Sequence, residues 1–391
     1  MEVKKKILFV VTSLNIGGVS TSLRNLVNSL PTSEFDITTI LFKEGGEKLL
    51  KCNFDYAGKI MRLTSIDQKQ SFRENVFLGI YRLFLGGIAR FFGHRISYKI
   101  MLHHTKKCKK KYDVAISFVQ SGPQTSLYGG CNEYVLNRVD ADLKISFIHC
   151  DYKLYGLDSQ YSHSIYNHFD RIAAVSRSVK ECFLDCEPSF SKKTFVSTNF
   201  HDYNEIIKLA NENPYIYDND CINFITVARF GKEKGHLRML KIVQHLKELG
   251  YRFKWHIVGA DEYTASKDFL TLYNQLDVSD VIKFHGKQIN PYRYMKNSDF
   301  LLIPSYHEAA PMVYEEARCL NLPILTTRTL SADELVAENK IGIVCDNNDA
   351  AIESALLEIF QNPNVLNIYK NQKHDFNNDK AYSEFLELLS K

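Results

Sequence analysis

The sequence predicts an α/β protein built from two parallel-sheet domains. Short apolar, β-rich runs recur at 6–12, 35–42, 113–119, 144–149 and 170–175, and again at 223–227, 253–258, 281–285, 300–303, 323–327 and 341–345. Runs without polar alternation suit strands covered on both faces. Stretches with helical spacing lie between them, as crossover connections in a parallel sheet require. A polar, Asn/Asp-rich stretch at 201–220 separates the two series. At 391 residues the chain has room for both domains. The expected boundaries are 1–200 for the first domain, 201–220 for a linker, 221–365 for the second domain and 366–391 for a tail carrying a last amphipathic helix.

The first strand meets a breaker, Asn15-Ile16-Gly17-Gly18, and Leu23, Leu26, Val27 and Leu30 follow at helical spacing. Strand, glycine loop, helix is the opening of a Rossmann-like unit. The full GxGxxG is missing, which argues against a nicotinamide cofactor. Residues 75–112 hold nine Lys and Arg (Arg82, Arg90, Arg95, Lys99, Lys106, Lys107, Lys109, Lys110, Lys111) and no acid. Phe77, Ile80, Tyr81, Phe84, Ile88 and Phe91 form a helical stripe there. Such a segment fits an anionic membrane surface, and a solvated basic face over core helices is the alternative. No nucleic-acid motif accompanies it. His149 ends the strand at 144–149, and Ser176 caps a helix after 170–175.

In the second domain the strand at 223–227 runs into Ala228-Arg229-Phe230-Gly231-Lys232-Glu233-Lys234-Gly235, then a helix to Leu249 that Gly250 stops. Arg229 and Lys234 at a strand's carboxyl end suit a diphosphate, one as a fork and one as a point charge. Gly259 and Gly286 end two further strands, where backbone can meet a nucleotide base. The run at 300–303 leads into Pro304-Ser305-Tyr306-His307-Glu308-Ala309-Ala310-Pro311-Met312-Val313-Tyr314-Glu315-Glu316-Ala317. With Glu308 in a loop and Glu316 inside a helix, both carboxylates lie near the crevice where open α/β sheets bind ligands. The helix start at Ala310, Pro311, Met312 and Val313 aims N–H groups at an anion or a sugar hydroxyl.

Composition narrows the classes. The hydrophobic fraction of 45% is ordinary for globular chains. Nine cysteines without CxxC pairs argue against a disulfide framework and fit a reducing compartment. Cys182 and Cys186 read as packing. No secretory signal fits residues 1–6, and no run of ~20 apolar residues exists to span a bilayer.

The frame from Pro304 to Ala317 resembles the Glu-x7-Glu signature of retaining, nucleotide-sugar-dependent glycosyltransferases with the GT-B fold, family 4, of the bacterial surface-polysaccharide type. The stretch from Ala228 to Gly235 is similar to that family's Gly-Arg-(x)n-Lys-Gly element, with Ala228 in the usual Gly position. Ala309 likewise stands where Gly is usual. Gly17-Gly18 resembles the N-terminal glycine motif, and His149 the histidine beside the donor sugar and acceptor. Asp140-Ala141-Asp142 matches the metal-binding DxD of the other glycosyltransferase fold by letters only, and reads as a turn before a strand.

The resemblance implies two Rossmann-like domains facing across a cleft, acceptor on the first and nucleotide sugar on the second, with the tail helix crossing back to the first. It implies transfer of a sugar from UDP-hexose or UDP-HexNAc, or GDP-mannose, to a hydroxyl of a lipid-linked oligosaccharide or glycolipid. Arg229 and Lys234 would then stabilise the leaving diphosphate, which Gly17 and Gly18 face. Glu316 would hold the ribose, Glu308 the transferred sugar, and His149 would orient sugar or acceptor, with same-face attack. No metal and no cofactor are expected. The expected place is the cytoplasm, peripheral on the inner face of the cell membrane through residues 75–112. A sugar-nucleotide isomerase like the UDP-GlcNAc 2-epimerases is the alternative. A dinucleotide oxidoreductase lacks its motif, and a non-catalytic membrane scaffold would leave the donor residues without a role.

Overall fold

The structure, a computed structural model, describes residues 3–14, 17–105, 107–123, 127–259, 266–370, 372 and 375–390, with Lys48 described by its backbone alone. Lys106, Asn15 and Ile16, singled out above, lie outside the described residues. The chain divides into two compact units, Met1–Phe200 with Asn378–Lys391, and His201–Asn377.

The first unit is a parallel sheet of β1 (Lys5–Val11), β2 (Phe35–Leu41), β3 (Asn53–Tyr56), β4 (Lys111–Ser117), β5 (Asp140–Ile148), β6 (Arg171–Ala174) and β7 (Thr194–Val196), in the order β3-β2-β1-β4-β5-β6-β7. β1 is the central strand: Ile7 lies opposite Ile37 of β2 and Val114 of β4, and Ile7, Leu8, Phe9 and Val10 are fully buried. The strand order reverses between β1 and β4. The helix Asp379–Leu389 belongs to this unit. Its Phe385 stacks on Phe9 at 6.4 Å, and Lys5 Nζ donates to the Leu389 carbonyl at 2.8 Å.

The second unit has β8 (Ile222–Val227), β9 (Phe253–Val258), β10 (Ile282–Phe284), β11 (Phe300–Ile303), β12 (Ile324–Thr327) and β13 (Gly342–Cys345), in the order β10-β9-β8-β11-β12-β13 and again all parallel. One face packs Phe224, Phe300, Trp255 and Leu356, with Phe224 and Phe300 stacked at 5.2 Å. The other packs Tyr314, Met295, Ile206 and Ala210. The order reverses between β8 and β11, so the loops after these two strands emerge side by side.

Two expectations need correction, and a third element shows how its apolar stripe lies. The stretch 201–220 is not a bare linker, because residues Tyr203–Asn211 form a helix. Asp202 caps it by accepting from Glu205 N–H at 2.9 Å, and Ile206 and Ala210, one turn apart, fill the second unit's core. Asp140 and Asp142 open β5 rather than a turn, and Lys111 pairs with Asp142 at 2.6 Å. The apolar stripe after residue 75 lies mainly in the helix Val76–Phe92, and most of it faces solvent: Phe77 is 81% exposed, Phe84 57% and Phe91 79%. Only Gly79, Leu85 and Ala89 of that helix are buried. Among the described residues no helix is long and apolar enough to cross a membrane.

Candidate functional site

Adjacency of β8 and β11 brings two loops together, and glycine allows the close approach. Gly235 sits at φ +73°, and a Cβ there would lie 2.8 Å from the Pro304 carbonyl carbon and overlap its oxygen. The Tyr306 N–H donates to the Glu233 carbonyl at 2.8 Å and ties the loops a second time. Lys234 is thereby delivered to Glu308, with Nζ 2.6 Å from Oε1. Both side chains are mostly buried, at 23% and 12% exposure. The Ser305 hydroxyl donates to the same Glu308 oxygen at 2.9 Å, and the Glu308 carbonyl accepts from Leu330 N–H at 3.2 Å. The carboxylate is thus fixed from two sides, and a partly dehydrated pair of this kind is ordered in a way that surface pairs are not.

Arg229 follows a different course. Its guanidinium is 73% exposed and donates through Nη2 to Glu233 Oε1 at 2.6 Å. Arg229 and Lys234 therefore each take a different carboxylate, Glu233 and Glu308 respectively. Glu316, in the helix Met312–Cys319, is buried and accepts from the Tyr292 hydroxyl at 3.3 Å. Pro311 caps that helix without a side-chain hydrogen bond, so no side chain at the cap covers the first-turn amides of Met312 and Val313. Ala309 and Ala310 are half-buried in the preceding bend. The Gly259 N–H donates to the Gly286 carbonyl at 2.8 Å, joining the ends of β9 and β10 beside this edge.

Arg238 is a residue that sequence reasoning missed. Its side chain is 2% exposed, donates to Asp349 and Asn347 at 2.7 Å each, and lies 4.2 Å from the Tyr306 ring centroid. Asn347 in turn donates to the Tyr306 carbonyl at 2.9 Å. This group buttresses the Glu308 loop from below. An arginine two places into an amphipathic helix is the only sequence signal for it.

The first unit holds the remaining predicted residues at the carboxyl edge of its own sheet. Gly17 is extended and precedes the helix Gly18–Ser29, whose Thr21 N–H donates to the Gly17 carbonyl at 3.0 Å. His149 follows β5 directly. Its backbone N–H donates to Gln120 Oε1 at 3.2 Å, and its ring packs 4.8 Å from Phe118. Nε2 is buried without a hydrogen-bond partner in the structure. Burial lowers the imidazole to about 3, so the ring is neutral at physiological pH and offers a lone pair or one N–H rather than a charge. Glu133 was also missed. It is buried in the helix Cys131–Arg138, accepts from the Tyr161 hydroxyl at 3.1 Å, and leaves Oε2 unpartnered. Burial raises its carboxyl to about 7. Among the described residues no three His, Cys, Asp or Glu side chains converge as a metal site would need.

Residues 213–376, nearly all of the second unit, match the family model described as glycosyl transferases group 1. Among curated relatives, the amylovoran biosynthesis glycosyltransferase AmsK of Erwinia amylovora is 27% identical over 184 residues, 44% of this chain and 45% of that protein. The capsular polysaccharide biosynthesis glycosyltransferase CapH of Staphylococcus aureus is 30% identical over 114 residues, 29% of this chain and 32% of its own length. The chain thus spans less than half the length of the curated relatives it matches. Solved structures match across nearly the whole chain, and two of them serve as examples. A glycosyltransferase from Rickettsia africae gives a TM-score of 0.64 at 16% identity, covering 100% of this chain and 95% of that one. Anabaena HepE in complex with UDP and glucose gives 0.67 at 14% identity, covering 98% and 99%. The fold is that of the GT-B glycosyltransferases.

Proposed function

We propose that this chain, whose second unit belongs to the group 1 glycosyl transferases, moves a sugar from a nucleotide diphosphate donor to a hydroxyl acceptor during surface polysaccharide synthesis. The observation that carries the reading is the Lys234–Glu308 pair, at 2.6 Å where the loops after β8 and β11 meet. It sets a cation and a sugar-binding carboxylate side by side at the reversal of strand order, where open sheets bind ligands. Lys234 and Arg229 stabilise the charge that develops on the leaving diphosphate, an electrostatic contribution made without proton transfer. Glu308 holds hydroxyls of the transferred sugar, and Glu316 accepts from the ribose. The neutral ring of His149 orients sugar or acceptor.

UDP-hexose or UDP-HexNAc is the favoured donor class, with GDP-mannose second. HepE, a neighbour in fold, is described with UDP and glucose. Transfer retains the anomeric configuration by same-face attack. None of the relatives named above is an isomerase, so the epimerase alternative gains no support. A screen of UDP-, GDP- and ADP-sugars with the purified protein tests the reading: release of one nucleotide supports it, and release of none under any donor and acceptor mixture contradicts it.

The acceptor in this reading is a lipid-linked oligosaccharide or glycolipid, and the enzyme works as a peripheral protein on the inner leaflet. The exposed apolar face of Val76–Phe92 supports this, as do the exposed cations Lys107, Lys109 and Lys110 later in the same segment, each worth about 1 kcal/mol near an anionic surface. Cosedimentation with phosphatidylglycerol vesicles is expected, and loss of it is expected when Phe77, Phe84 and Phe91 become Ser. Full retention in that variant would contradict membrane docking by this helix.

A further inference from the structure

Glu233 occupies a position that its charge alone does not explain. The glutamate is 27% exposed and could extend into water, yet its carboxylate folds back over Gly231. A Cβ at Gly231 would lie 2.5 Å from Glu233 Oε2 and 2.6 Å from its Cδ, so the carboxylate fills the space left by the missing side chain. There it accepts from Arg229 Nη2 at 2.6 Å. Its backbone is held in place, because Tyr306 N–H donates to its carbonyl at 2.8 Å and Lys234 N–H to that of Gly231 at 3.0 Å. An anion of two oxygens therefore lies against the one guanidinium of the loop, in the space a side chain at Gly231 would take.

We infer that the Glu233 carboxylate is an internal stand-in for the donor diphosphate, seated on Arg229 until donor binds and expelled when it does. This rests on the reading of residues 229–235 as the diphosphate loop. Guanidinium binds carboxylate and phosphate with the same fork, so one displaces the other without remodelling the loop. Glu233 is covalently tethered four residues from Arg229, and it competes at a high effective concentration. The consequence is regulatory: the carboxylate weakens nucleotide binding and returns to Arg229 as the product diphosphate leaves. A residue that merely aimed Arg229 would do the opposite, since removing it would weaken binding.

Calorimetry with UDP and with inorganic pyrophosphate decides between the two, using the full chain and Glu233→Gln, Arg229→Ala and the double variant. Glu233→Gln is expected to tighten both ligands about two- to fivefold, the size of releasing one partly exposed ion pair. In the Arg229→Ala background the same change should have little effect, because the competition is for that guanidinium. Weaker or unchanged binding in Glu233→Gln overturns the inference, and so does tightening that persists without Arg229, which would mark a general charge effect. If wild-type protein binds neither ligand, or binds them equally well as Arg229→Ala, the diphosphate reading of the loop itself fails and takes the inference with it.

Discussion

His236 begins the helix Glu248 ends, directly after the loop that presents Arg229 and Lys234. Its ring is 2% exposed, packs 4.6 Å from Phe230 and 6.3 Å from Trp255, and has both nitrogens without a hydrogen-bond partner. Burial, aided by the Lys234 ammonium, lowers the imidazole from 6.5 to about 4. A lowered value means that this group's contribution is complete above pH 6.5 and is lost as the pH falls toward 4. At ~1.4 kcal/mol per pH unit, pH 5 lies far enough below 6.5 for His236 to cost about 2 kcal/mol there. His236→Leu removes that cost along with an unpartnered buried dipole, itself worth about 1 kcal/mol or more. The variant should therefore match or exceed wild type by about 1 kcal/mol at pH 7.5, and gain about 2 kcal/mol more at pH 5. The chain has one tryptophan, Trp255, fully buried in the second unit, so urea unfolding followed by its fluorescence reports that unit. Wild type will still lose stability in acid, because burial also lowers His201 to about 4 and His256 to about 3. A His236→Leu variant destabilised equally at both pH values would refute the reasoning and show that the ring makes a bond the fold needs.

Four further outcomes follow from the same structure. Arg229→Ala and Lys234→Met should each lower kcat/KM by roughly two to three orders of magnitude. Arg229→Ala should leave the melting temperature nearly unchanged, since that guanidinium is 73% exposed. Activity should survive EDTA, and an absolute requirement for Mn2+ or Mg2+ would contradict charge stabilisation by these two cations. Glu316→Gln should weaken donor and free UDP alike, whereas Glu308→Gln should lower turnover with less effect on free UDP; calorimetry showing equal losses would contradict the division of roles. Glu133 gives the opposite pH signature to the histidines. Its carboxyl is raised from 4.5 to about 7, so its contribution is complete below 4.5 and is lost as pH rises through 7, at most ~3 kcal/mol. Glu133→Gln should flatten that slope in circular-dichroism melts at pH 5 and 8, and an unaltered slope would show that Glu133 ionises freely.

Much of the fold was legible because a covered parallel strand leaves a plain signature. Runs such as 223–227 and 300–303 have no polar alternation, and both proved to be central strands. The edge strands β3 and β7, four and three residues long, were not anticipated, because a short, half-solvated strand needs few apolar residues. The helix Tyr203–Asn211 was hidden by polar composition, although Asp202 as cap and Ile206 and Ala210 one turn apart announce it in hindsight. The loops carrying Arg229, Lys234 and Glu308 could be placed from their strands. Which carboxylate each cation takes could not, since that depends on Gly235 permitting the Pro304 carbonyl to approach. Burial of Glu133 and of the His149 Nε2 atom also escaped notice, because burial of a polar group is decided by elements far away in sequence. A helical stripe states that one face is apolar, and tertiary packing decides whether anything covers it.

The central claim is that the Lys234–Glu308 corner supports sugar transfer from a nucleotide donor. The most direct test is nucleotide release from UDP-sugars and GDP-mannose by wild type and by Lys234→Met in parallel, with circular dichroism confirming that both are folded. The account predicts release from one donor class by wild type and a fall of roughly two to three orders of magnitude in the variant. Undiminished release by folded Lys234→Met would contradict it.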